Sequence, residues 1–150
     1  MWTVYQTTDL FLIATNSRLR QDSALVMGRG IARQARDRFP RLAKVLGQHI
    51  ATLCGDLGTY DLLISPRWPE AKLGAFQVKR HYCHPASLEF IQRSTMALSK
   101  WCIDHPEATV ALNFPGIGNG RLPRTAVTPN LQQLPDTVTV WEYPAHKDTS

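Results

Sequence analysis

Residues 10–40 read LFLIATNSRLRQDSALVMGRGIARQARDRFP. Leu10 to Thr15 is a nearly continuous apolar run of strand length, the kind found in a sheet covered on both faces. A polar stretch follows and ends on Gly28, Arg29 and Gly30. Ile31, Ala32, Ala35 and Phe39 then recur at helical spacing until Pro40, which has no backbone N–H to continue a helix. Strand, glycine-bearing loop and helix in that order predict one unit of an α/β domain. In such sheets ligands bind where loops leave the carboxyl ends of the strands.

The same alternation continues along the chain. Trp2 to Tyr5, Asp61 to Ser65, Ala75 to Arg80, Thr109 to Asn113 and Thr137 to Tyr143 read as further strands. Leu42, Val45, Leu46, Ile50 and Leu53 repeat with a helical period, and Gly55 is placed to end that helix. A longer helix is expected from about Pro85 to Ile103, with Leu88, Ile91, Leu98 and Cys102 facing inward and His105-Pro106 closing it. Val127 to Leu134 reads as a weaker helix interrupted by proline. The sum is a largely parallel sheet between two helical layers.

A chain of 150 residues falls in the range of one domain and can bury a core without a disulfide framework or structural metal. One domain over residues 1–150 is expected, with the polar residues 144–150 frayed. Cys54, Cys83 and Cys102 show no ligand-like spacing and fit a reducing compartment, with Cys54 and Cys102 at apolar helix positions read as core. The amino terminus has no secretory pattern, and no apolar run approaches the roughly 18–20 residues that cross a bilayer. These features predict a cytoplasmic monomer with no membrane partner. Seventeen Lys and Arg against twelve Asp and Glu give a net charge of +5, concentrated in Arg18, Arg20, Arg29, Arg33, Arg36, Arg38, Arg41 and Lys44. Such an excess points to an anionic partner.

Two loops are candidates to hold an anion. Gly28 and Gly30 stand before a helix amino terminus, whose free N–H groups attract negative charge. Gly116, Gly118 and Gly120 follow the Thr109 to Asn113 strand and clear side chains from consecutive backbone N–H groups. Neither loop is a Walker loop or a dinucleotide fingerprint. Two anion sites at one sheet edge suit a nucleotide diphosphate derivative, although a glycine turn of this kind is also an ordinary structural element.

Three separated motifs carry a family likeness. Thr8-Asp9-Leu10-Phe11, Asn16 and the run Val26-Met27-Gly28-Arg29-Gly30-Ile31 through Phe39-Pro40 resemble the opening of a macrodomain. Phe76-Gln77-Val78-Lys79-Arg80-His81-Tyr82 resembles the reactive-lysine segment of the DNA ADP-ribosyl glycohydrolase antitoxins of the DarG type. Asn113-Phe114-Pro115 through Gly118-Asn119-Gly120 is similar to that family's phosphate loop, and the terminal ADP-ribose protein glycohydrolase branch is a more distant likeness. The resemblance implies a three-layer α/β/α fold with a mixed sheet of about six strands, and ADP-ribose as ligand. It implies that Asp9, with Leu10 beside it, takes the adenine, and that Asn16, Met27, Gly28, Gly30 and Ile31 border the distal ribose. Pro115, Gly116, Ile117, Gly118, Asn119 and Gly120 would enclose the diphosphate. The family's usual glycine before the acid is Thr8 here.

Lys79 is the candidate reactive group. An amine partly withdrawn from water beside Arg80 has a lowered pKa and becomes a better nucleophile or proton relay. An ordinary surface lysine is the competing expectation. The protein-directed branch supplies an acid from the phosphate loop, whereas this sequence has no carboxylate between Glu107 and Asp136. That favours ADP-ribose removal from nucleic acid, single-stranded DNA foremost, over removal from protein; a reader that binds without turnover is the other alternative. Arg29, Arg80 and His81 are candidates for substrate contact or support of Lys79, and Trp68 and Tyr82 for stacking an unpaired base. His81, Cys83 and His84 lie too close in sequence for one tetrahedral ion, so neither a metal nor a cofactor is expected.

Overall fold

The apolar run Leu10–Thr15 forms β1, the central strand of the sheet in the computed structural model, which describes residues 1–54 and 57–142. After a 3-10 turn at Trp2–Val4, the chain runs through β1, α1 (Gly30–Arg38), α2 (Leu42–Cys54), β2 (Leu62–Ile64) and β3 (Leu73–Gln77). It continues with α3 (Leu88–Asp104), β4 (Val110–Asn113), a 3-10 turn at Gly118–Gly120, α4 (Arg124–Leu131) and β5 (Val138–Trp141). The strand order is β2-β3-β1-β4-β5, with β2 antiparallel to β3 and the other pairs parallel.

Strand alternation sorts the core into two layers. Phe11, Ile13 and Ala111 pack with Ile31 and Ala35 of α1 and with Leu46 and Ile50 of α2. Leu10, Leu12 and Leu112 pack with Ile91 and Leu98 of α3 and Val127 of α4. Both faces are therefore covered, as the unbroken apolar character of β1 requires.

Among the described residues the sheet has five strands rather than about six, because Trp2 to Tyr5 is not a strand. Trp2 stacks on Phe11 at 4.6 Å and Tyr5 meets the same ring edge-on at 5.2 Å. Residues three apart share a face in a tight helical turn and lie on opposite faces in a strand, so serving one ring with both requires the turn. β3 starts and ends earlier than Ala75 to Arg80, because Leu73 and Gly74 pair with Phe11 and Leu12. Lys79 consequently lies in the loop beyond the strand.

α2 presents Ala43, Leu46, Gly47, Ile50 and Cys54 inward and leaves Val45 and Leu53 exposed, a face rotated from the expected one. Gly47 sets that rotation: a β-carbon there would lie 1.9 Å from the Ser23 carbonyl oxygen. α3 begins at Leu88 behind a Ser87 cap, with Pro85 outside it and Leu88 exposed, while Ile91, Leu98 and Cys102 are buried as expected. α4 lies three residues earlier than Val127 to Leu134 and contains Pro129. The expected helix terminator Gly55 and the tail 144–150 lie outside the described residues.

The Gly47 contact predicts that Gly47→Ala destabilises the protein by about 3 kcal/mol, the upper part of the range for overpacking, since the opposing atom is backbone. Chemical denaturation checks this; a variant as stable as the parent would show that the helix and the 23–25 segment separate freely.

Candidate functional site

β3, β1, β4 and β5 are parallel neighbours, and the chain leaving their carboxyl ends encloses a cleft of about 750 Å³. That volume suits a small-molecule ligand. Ala14, Thr15 and Asn16 line it from the end of β1, and Asn113 from the end of β4. From Lys79 after β3 to Trp141 on β5 it crosses three strand spacings, about 14 Å at the usual separation. One end is cationic, with Lys79, Arg29 and Arg121; the other carries Phe114 and Trp141.

Two sets of backbone donors meet here. Arg29 caps α1 without a side-chain hydrogen bond, and no acid stands in its first turn, so the opening N–H groups of the helix are uncompensated. In the second loop Gly116 and Gly118 have φ of +85° and +64°, the left-handed region that glycine adopts without strain. The N–H groups of Gly120, Arg121 and Leu122 bond within the loop, whereas those of Gly116, Ile117 and Gly118 bond to none of the described residues. A β-carbon at Gly116 would lie 2.5 Å from Ile91, so the loop is seated on α3; one at Gly118 would meet nothing within 4 Å.

Lys79 lines the cleft half-buried, with Nζ donating to the Tyr82 carbonyl at 3.2 Å. Burial, then the charges of Arg121 and Arg29, push its amine below the usual lysine range, with Cys83 acting weakly in the opposite direction. Glu142 is the one carboxylate among the described lining residues, and the Arg124 guanidinium holds it in a two-pronged ion pair. Lys79 thus places a nucleophile of lowered pKa in the wall of the cleft.

Of the residues singled out from sequence, Asn16, Gly28, Arg29, Gly30, Ile31, Lys79, Gly116, Ile117, Gly118 and Gly120 line the cleft. Met27 is 2% exposed in the core beneath it, and Pro115 is buried. The side chain of Asn119 lies outside what is described. Asn16 is held at the wall of the cleft, with Oδ1 accepting from Arg18 N at 2.7 Å and one Nδ2 hydrogen donated to Val26 O at 3.0 Å, which leaves the second N–H of that group without a partner among the described residues. The two bonds also brace the loop.

Asp9 and Leu10 are not brought to the cleft. They precede or open β1, about 20 Å from its carboxyl end at strand rise. The Asp9 carboxylate accepts from the backbone and hydroxyl of Thr109, and Leu10 is fully buried. The adenine role expected of Asp9 does not fit that position. Trp68 lies at the same far end, its indole N–H donating to Asp9 O, so only Tyr82 of the two expected stacking residues lines the cleft.

Arg80 points away: its guanidinium bonds to Thr59 and lies over Phe90. His81 accepts from Cys83 N through Nδ1 and stacks on Tyr82 at 4.5 Å. Asn113 and Phe114, which open the stretch likened to a phosphate loop but were given no role of their own, also line the cleft, as do Arg121, Trp141 and Glu142, which the sequence did not single out. Their signal was available in principle, since each lies at or just beyond the carboxyl end of a strand or in the second glycine loop.

No family model and no curated protein matches the sequence. Solved structures do match. The macrodomain of Mycobacterium tuberculosis DarG is 26% identical with a TM-score of 0.67, over 93% of this chain and 90% of that one. The macrodomain of Thermus aquaticus DarG is 23% identical with a TM-score of 0.65, over 91% and 89%. Thermosipho africanus DarTG in complex with ADP-ribose is 17% identical with a TM-score of 0.72, over 93% of this chain and 39% of that one.

Proposed function

From a macrodomain fold resembling that of DarG, we propose that this protein binds ADP-ribose in the cleft and hydrolyses ADP-ribosyl modifications on nucleic acid, single-stranded DNA foremost. The observation that carries the reading is Lys79, a lysine of lowered pKa at one end of a cleft lined by free backbone donors. The diphosphate lies against the N–H groups of Gly116 to Gly118 and the start of α1, the adenine toward Phe114 and Trp141, and the distal ribose toward Lys79.

The neutral Nζ of Lys79 attacks the anomeric carbon of that ribose. The bond to the base nitrogen breaks, its electron pair leaves with the base, and a proton follows. Water then displaces the amine and releases ADP-ribose. Binding holds the reacting atoms together, and burial, helped by the charges of Arg121 and Arg29, keeps part of the lysine in its nucleophilic form.

The mouth of the cleft supports a nucleotide as the remainder of the substrate. Tyr82 is 50% exposed beside Lys79, its ring backed by His81, with Arg29 and Arg121 close by for phosphates. An unpaired base stacks on such a ring in any sequence context. The setting proposed is the cytoplasm, and the three free thiols are compatible with it.

The test compares release of ADP-ribose from a modified single-stranded oligonucleotide and from a modified protein. The oligonucleotide is expected to be the faster substrate. Tyr82→Ala should lower kcat/KM on it about 10-fold, the scale of one base–aromatic stack, and leave the affinity for free ADP-ribose unchanged. Faster release from protein would redirect the reading to protein substrates. The ion pair that occupies Glu142 favours a second reading, ADP-ribose binding without turnover, and micromolar binding with no release from either substrate would establish it.

A further inference from the structure

The ladder between β1 and β4 ends after Leu12 and Leu112, and beyond it the two strands are joined through a side chain. The Oδ1 of Asn113 accepts from the Ala14 N–H at 2.7 Å. A backbone N–H can only donate, so the oxygen of the amide must face Ala14 and the NH₂ group must face elsewhere. Asn113 is partly exposed and lines the cleft, and its Nδ2 bonds to none of the described residues. In Asn16, by comparison, the NH₂ group makes one bond within the protein, to Val26 O.

The surroundings identify what this NH₂ group meets. Asn113 stands between the Lys79 end and the Trp141 end of the cleft and immediately precedes the loop with free N–H groups at Gly116, Ile117 and Gly118. Trp141 is its register partner on β5, and the Trp141 indole N–H is buried without an acceptor among the described residues. The free N–H groups of the loop and the Asn113 amide thus stand between the two ends of the cleft, where a multiply charged oxyanion satisfies several donors at once.

We propose that Asn113 is the side-chain donor to the diphosphate of the bound nucleotide, and that this amide helps select diphosphate-containing ligands over a neutral nucleoside. The inference rests on the reading of the cleft as an ADP-ribose site. It adds a determinant that no backbone group supplies, because a side-chain amide can be converted to its acid at constant shape.

Asn113→Asp makes that conversion. The introduced carboxylate still accepts from Ala14 N–H, so the melting temperature should stay close to that of the parent. It cannot donate to the ligand and repels its charge. Affinity for ADP-ribose and for ADP, followed by calorimetry, is expected to fall about 10- to 100-fold, the scale of a hydrogen bond to a charged group. Affinity for adenosine, followed by NMR titration, should not change, and part of the loss should be recovered as the pH is lowered through the carboxylate range.

If the acid variant does not fold, Asn113→Thr removes the amide without adding charge, and the loss should be about fivefold, again only for ligands with the diphosphate. Unchanged ADP-ribose affinity in a folded variant, or an equal loss for adenosine, overturns the role of Asn113 while leaving the functional reading in place. Wild-type protein that binds neither ADP-ribose nor ADP overturns both.

Discussion

Lys79→Ala is expected to lower release of ADP-ribose from a modified oligonucleotide by about 10²- to 10⁴-fold, the range for loss of a positioned proton-transfer group, and more if the covalent route dominates. Free ADP-ribose should bind within about threefold of the parent, because the backbone donors proposed to hold the diphosphate do not involve this side chain. The Lys79 ammonium also donates to the Tyr82 carbonyl at 3.2 Å, an exposed contact, so stability should change little. Single-turnover kinetics beside calorimetry separate the two effects. A variant that turns over at the parental rate would sink the role of the lysine, and one that loses binding and turnover equally would make Lys79 an anion ligand only.

The pH dependence follows from the same site. Burial and the charges of Arg121 and Arg29 hold the Lys79 amine below its ordinary range, so the neutral fraction at a given pH exceeds that of a surface lysine. Only the neutral form attacks, so the rate should rise with pH until the lowered pKa is passed and then level off. Arg121→Ala removes the larger of the two charge effects. The rising limb should therefore move to higher pH in that variant, with the plateau preserved where Lys79 is neutral in both.

What sequence reading captured depended on whether a signal was local. β1 was legible because it is apolar at nearly every position, and the glycine loops were legible because two of them follow strands toward one sheet edge, although a single glycine turn is commonly structural. Trp2 to Tyr5 misled because aromatic and β-branched residues suit strands. Its turn is set by one ring, Phe11, that both aromatics must reach. Asp9 stands next to β1 in sequence but before it, and in this sheet that is the end opposite the cleft. Asn113 and Trp141 become neighbours only through the pairing of β4 with β5, which no local pattern announces. Lys79 was recognised through a family likeness; what holds it in place is a buried amide two residues earlier in the chain.

Gln77 is fully buried at the end of β3, and each hydrogen-bonding position of its amide is occupied. Oε1 accepts from the N–H groups of Tyr60 and Asp61 at 2.8 and 3.0 Å, and Nε2 donates to the carbonyls of Gly58 and Lys79 at 2.8 and 3.2 Å. One side chain thus ties the 58–61 loop, with Asp61 in the left-handed region at φ +62°, to the backbone of Lys79, the residue proposed to react. Gln77→Leu fills a similar volume and leaves four backbone groups without this partner.

At about 1–3 kcal/mol for each buried group left unsatisfied, and with some groups recovered by water, a total near 3–5 kcal/mol is expected. For a chain of this length that lowers Tm by about 10–15 °C. In the fraction that remains folded, kcat should fall about 10-fold with little change in ADP-ribose affinity, because the released carbonyl lets Lys79 drift from a near-attack position.

Gln77→Glu distinguishes positioning from packing. Its carboxyl can still accept from Tyr60 and Asp61, but to donate to even one carbonyl it must stay protonated. Burial opposite those carbonyls raises its folded pKa above the unfolded value, so the stability it supplies is present at low pH and is lost as the pH rises through the folded pKa. The variant should come closest to parental stability below about pH 4, under the unfolded glutamate range, and fall progressively away from it as the pH rises. A stability difference independent of pH would mean that the side chain acts through its volume alone, and that the network around Lys79 forms without it.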